Sequence, residues 1–181
     1  MTRTIAATLA LLACALPAEA DPLTDLVRTG EGACFARRFS PAELAARPDQ
    51  TVRSLTLAVT RAVPLKPGDP AVAEITVVLI RRDRPGIFSY RAICVDPLPN
   101  GGACIGYLSP GSAEEAGDTV VTLGEGAGSA RLSATASLKV IPLGEAVPRV
   151  VVLPFGPADG DLELVAAPMR TCAMMDGAAP D

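Results

Sequence analysis

Histidine is absent from this 181-residue chain, and so is tryptophan. Without an imidazole there is no Ser-His or Cys-His nucleophile, no histidine metal ligand and no ordinary side chain that changes charge near neutral pH. Aromatic side chains amount to Tyr90, Tyr107 and four phenylalanines. That leaves little stacking surface for a sugar, so paired carboxylates alone do not point to a glycosidase. Lysine is confined to Lys66 and Lys139, neither of them in an S-x-x-K motif, so a Ser-Lys hydrolase lacks its signature. No basic run is present and the formal net charge is −4. Such a chain carries no electrostatic footprint for nucleic acid and no polybasic patch for anionic lipid. No apolar run reaches the roughly 20 residues of a transmembrane helix. These absences leave no catalytic residue, cofactor or metal to assign, and the chain is expected not to be an enzyme. A histidine-independent hydrolase is the remote alternative.

The beginning of the chain, MTRTIAATLALLACALPAEA, has a positive residue at Arg3, an apolar run over 5–16, a break at Pro17 and an A-x-A site at Ala18-Glu19-Ala20. This is the pattern of a secretory signal peptide over 1–20, cut after Ala20. A rival reading takes Leu11-Leu12-Ala13-Cys14 as a lipoprotein box, which would anchor the protein at Cys14. The location expected is periplasmic or secreted. Cleavage leaves 21–175 as a single disulfide-stapled β domain, of a size that supports one core, and 176–181 as a disordered tail.

Four cysteines remain in the mature chain: Cys34, Cys94, Cys104 and Cys172. An even number in an exported chain indicates disulfides, and no CxxC spacing favours a metal. Cys94 and Cys104 bracket VDPLPNGGA, whose prolines and Asn-Gly-Gly place them at the mouth of one loop. Cys34 and Cys172 are left to tie the start of the domain to its end. In the chain-entropy account the long bridge contributes about 5 kcal/mol and the short one about 3 kcal/mol.

SPAELAARPDQTV, at 40–52, predicts a helix of less than two turns. Ser40 is its N-cap, Pro41 its first residue and Glu43 completes a capping box; Pro48 pushes Arg47 out of helical geometry and ends it. Its expected job is to turn the chain and plug one end of a β-structure. A second short helix is predicted from Asp21-Pro22 to about Arg28. Downstream the period becomes two. Apolar alternation at 54–60, 75–80, 87–95, 104–108, 119–123, 130–140, 150–155 and 162–166 predicts about eight short strands. The fold class is all-β: an antiparallel β-sandwich or barrel with one or two short N-terminal helices. VPLKPGDPA at 63–71 and PFGPADGD at 154–161 are loops.

Other stretches have two readings. Asp159-Gly160-Asp161 resembles half a calcium loop but lacks the other ligands, and a turn explains it. Arg81-Arg82-Asp83-Arg84 could meet an anion, or be a solvated hairpin end. Gly124–Gly128 has no helix after it to make a phosphate cradle, so a hairpin connection is expected. The stretch CFARRFSPAELAARPDQTVRSLTL, residues 34–57, resembles the opening of a group of uncharacterised exported bacterial proteins. Those begin with a Cys-aromatic-x-Arg segment, a short helix, Pro-x-Gln and a strand. The pattern often has histidines where this chain has Glu43 or Arg47. The resemblance implies an exported, disulfide-bearing β domain and no known activity.

The function expected is binding or structural support, with an unknown protein or small ligand as partner and an oligomeric state that the residues leave open. The alternative is an inhibitor of a secreted hydrolase acting through a constrained loop. The partner loop would be Pro97, Leu98 and Pro99, where two prolines restrict the backbone around one apolar side chain.

Overall fold

The computed structural model describes residues 22–28, 30, 32–62, 72–109, 115–134 and 137–175. The segments expected to be a signal peptide (1–20, with Cys14 as the alternative anchor), a loop (63–71) and a tail (176–181) lie outside them.

The architecture is a closed antiparallel barrel. Strands β1 (Ala33–Arg38), β2 (Val52–Arg61), β3 (Ala73–Arg81), β4 (Ile87–Leu98), β5 (Gly101–Tyr107), β6 (Glu115–Leu123) and β7 (Ser129–Ala134) follow one another around the wall. β10 (Asp161–Ala167) enters between β7 and β1, and the β3–β4 pairing completes the ring of eight. Among the described residues two further strands, β8 (Ser137–Pro142) and β9 (Val151–Pro154), form a hairpin. It branches from the start of β4, where Phe88 and Ser89 face Pro142 and Ile141. Closure leaves no open edge in the eight-stranded wall.

The interior follows from period-two patterning. Leu55, Leu57 and Val59 of β2 and Ile75, Val77 and Leu79 of β3 point inward, with Phe88 and Tyr90 of β4, Val121 of β6, Leu132 of β7 and Leu164 of β10. Phe35 joins them from β1, a strand that the alternation over 33–38 is too short and too charged to announce. The Tyr90 ring lies across Gly106, where an added Cβ would come within 2.5 Å of the ring, so only glycine fits.

The alternation at 130–140 holds for burial but not for continuity. Ala130, Leu132, Leu138 and Val140 are all buried. They belong to two strands in different places, β7 in the wall and β8 in the branching hairpin. Period alone carries no mark of where a chain changes partners.

Among the described residues three short α-helices accompany the barrel. Helix α2 (Pro41–Ala46) has the predicted capping box: Ser40 Oγ accepts from Glu43 N–H at 3.2 Å, and Glu43 Oε2 accepts from Ser40 N–H at 2.8 Å. These bonds hold the Glu43 carboxyl below its usual pKa, the backbone bond first. The helix turns the chain but does not act as the plug, because it contains no buried residue. That task falls to α1 (Pro22–Arg28), which meets β2, β3, β4 and β5. Its Leu23 and Val27, four apart on one face, are wholly buried in the barrel core. Helix α3 (Met169–Met175) packs outside on β1 and β2.

Candidate functional site

The cysteines pair as Cys34–Cys172 and Cys94–Cys104. Cys34 sits on the outer side of β1, since its neighbour Phe35 is the inward residue. Cys172 is in α3, and the bridge therefore clamps that helix to the wall across a separation of 138 residues. Cys94 and Cys104 are directly opposite each other on β4 and β5, buried in the core. Disulfides of this kind fit an oxidising compartment. No helix among the described residues is long and apolar enough to cross a membrane.

The segment between Cys94 and Cys104 is strand rather than loop. β4 continues through Pro97 to Leu98 and β5 begins at Gly101, with Asp96, Pro97 and Leu98 facing Ala103, Gly102 and Gly101. The ladder shifts register between Cys94 and Asp96, and this bulge admits the proline, since prolines enter sheets at bulges and strand ends. The turn is Pro99-Asn100. Of the three residues proposed from sequence, Pro97 is within the ladder, Leu98 ends the strand and Pro99 opens the turn. Asn100 C=O also accepts from Leu123 N–H, which ties the turn to β6.

What sequence spacing missed is the outer face of this hairpin. Ile93 faces Ile105 across the ladder, and Val95, Leu98 and Ile105 are 48%, 36% and 43% exposed. The strip is bounded by polar partners. Tyr107 O–H donates to Glu74 Oε1 at 2.6 Å, and Arg91 pairs with the same oxygen at 2.6 Å. Burial first, and then the hydrogen bond to Glu74, push the Tyr107 hydroxyl up to about 12. The one visible signal was CIGYL, where Ile105 and Tyr107 occupy the same face. The mate of Ile105 on β4 needed the tertiary register.

The arginine cluster is mostly consumed by the fold. Arg81 is buried and grips Asp83 with two 2.8 Å bonds, donates to Pro154 C=O at 2.8 Å and lies over the Phe155 ring. That grip lowers the Asp83 pKa. Arg82 caps α2 by donating to the carbonyls of Leu44, Arg47 and Pro48. Arg84 alone reaches a groove of about 490 Å³ between the β3–β4 turn and the β8–β9 connection.

Asp159 and Asp161 do not converge. Asp159 is buried and accepts from Thr51 N–H, Thr51 O–H and Val52 N–H, all within 3.0 Å. Asp161 instead meets Ser133 and Arg131. Among the described residues no group of His, Cys, Asp and Glu is placed to hold a metal ion. Gly124–Gly128 forms the β6–β7 connection around a single 3₁₀ turn, Glu125–Ala127.

Comparison with protein-family models, curated proteins and solved structures yields no match to this chain.

Proposed function

We propose that this protein is an exported, non-catalytic domain that acts by binding or structural support, with the outer face of the β4–β5 hairpin as its contact surface. The supporting observation is the strip of Val95, Leu98 and Ile105. These are apolar side chains left on the surface of a strand pair that is braced by a buried disulfide and by β6. Large aliphatic side chains grouped on a rigid face favour contact with another surface. Bracing also lowers the ordering entropy that docking costs. The periplasm or the exterior is the compartment in this reading. It rests on the signal-peptide pattern together with the disulfides. An inhibitory loop is less well supported, because paired strands leave little free backbone at this tip.

Cross-linking of the purified protein in periplasmic extract tests the reading, with Leu98→Asp and Ile105→Asp alongside. The expected result is one cross-linked partner, lost in both variants at unchanged melting temperature. Undiminished capture, or a loss that tracks unfolding, would overturn the hairpin as the contact surface. Turnover of generic esters, peptides or glycans that vanishes when one serine or carboxylate is replaced would overturn the non-catalytic reading.

A further inference from the structure

The groove beside Arg84 lies at the other end of β4 from the hairpin tip, and its chemistry is different. Two connections build it: the β3–β4 turn and the β8–β9 segment, joined where Leu143 N–H donates to Ile87 C=O at 2.8 Å. Its floor is apolar, made by the buried Phe88 and Pro142 with the half-buried Leu143 and Val151. Arg84 and Arg149 stand on its walls, together with Glu145. Arg149 is already paired with Glu145 at 2.9 Å. Arg84 makes no side-chain hydrogen bond or ion pair among the described residues, though its charge acts on the neighbouring Asp83, whereas Arg81 and Arg82 are spent on Asp83, Pro154 and the end of α2.

We propose that this groove binds a small amphiphilic carboxylate, such as a medium-chain fatty acid, with its tail on the Phe88–Val151 floor and its carboxylate on Arg84. Charge decides the headgroup. The groove lining carries one excess positive charge on a chain whose formal net charge is −4, so the local field there favours an anion. An Arg guanidinium matches a carboxylate with two parallel bonds. The apolar floor decides the rest, since a bare inorganic anion would leave it uncovered. Size decides against a folded partner. At about 490 Å³ the space lies in the range of small-molecule sites, roughly 300–1,000 Å³. The wall carrying Arg84 is preformed. Gly86 has φ +110°, a conformation glycine adopts without strain, and the Arg81–Asp83 grip fixes the turn on its other side.

The experiment is titration of the ¹⁵N-labelled mature protein with octanoate, 1-octanol and octyltrimethylammonium, read by amide shifts. Octanoate is expected to give saturable shifts at Gly86, Leu143, Gly144 and Val151 below about 10 mM. The neutral and cationic analogues are expected to bind several-fold more weakly. Arg84→Gln is expected to weaken octanoate about three- to tenfold at unchanged melting temperature, with partial rescue by Arg84→Lys. Any of four results would overturn the proposal: no saturable shift, saturation mapped to another surface, octanol binding as well as octanoate, or an Arg84→Gln variant that is folded and binds unchanged. Failure here leaves the hairpin reading untouched, because the two sites share no residue.

Discussion

Asp159 shows how one side chain can fasten two distant parts of the barrel. It lies in the β9–β10 connection and takes up three donors at the start of β2, 107 and 108 residues away in sequence. Asp159→Ala would strand the buried Val52 N–H and the Thr51 donors. The cost of leaving buried donors unpaired is about 1–3 kcal/mol each, so the expected loss is about 3 kcal/mol, read as a lower denaturant midpoint. The tyrosines make a second residue-scale prediction. Burial raises the Tyr90 hydroxyl to about 12, with a weaker opposing effect from Thr119, and Tyr107 also stands at about 12. A folded-state pKa above the unfolded value of about 10 favours the neutral form in the fold. The stabilisation is complete below pH 10 and disappears as pH rises from 10 toward 12. The only two tyrosines of the chain are both shifted. Absorbance at 295 nm should therefore show no ionisation step near pH 10 in the folded protein, and a step near 10 in denaturant.

At the scale of the element, strand faces control the outcome of substitution. Leu132 is buried and Ser133 is its outward neighbour on β7. Leu132→Ser removes packing and buries a hydroxyl, for a loss of about 3–5 kcal/mol, while Ser133→Leu should stay within about 1 kcal/mol. Equal shifts in denaturant midpoint would contradict the assigned faces. Much of this level could be read beforehand. The capping box around Ser40 and Glu43 is local chemistry, complete within four residues, and the helix forms as that chemistry requires. β1 was not legible, because Phe35 is its one large apolar side chain and two arginines follow. Its extended form comes from pairing with β2 and β10 on either side.

For the whole molecule, closure is the central fact. β10 returns from the far end of the chain to seal the wall between β7 and β1, and Cys34–Cys172 staples the same region from outside. Replacing both Cys34 and Cys172 by Ala should cost about 5 kcal/mol in the chain-entropy account, because the loop they close is long. Replacing Cys94 and Cys104 releases a much shorter loop and should cost about 3 kcal/mol. Guanidinium unfolding of the two double variants measures both, and the order of the losses is the test. A smaller loss from the long bridge would show that β10 pairing alone already holds the chain ends.

Local chemistry and period were sufficient for the class of structure: strands where apolar residues alternate, and helices where Ser40-Pro41 and Pro22 start them. Those features depend on neighbours within a few residues, and sequence states such neighbours outright. The tertiary structure alone decided that the sheet closes rather than splitting into a sandwich, that α1 and not α2 plugs the core, and that 130–140 is two strands. It also decided which residues come together: Ile93 opposite Ile105 on the hairpin, and Arg84 and Phe88 along one groove. Each of these depends on the register between segments far apart in the chain. Register is set by the joint packing of one interior, and no single segment of sequence contains it.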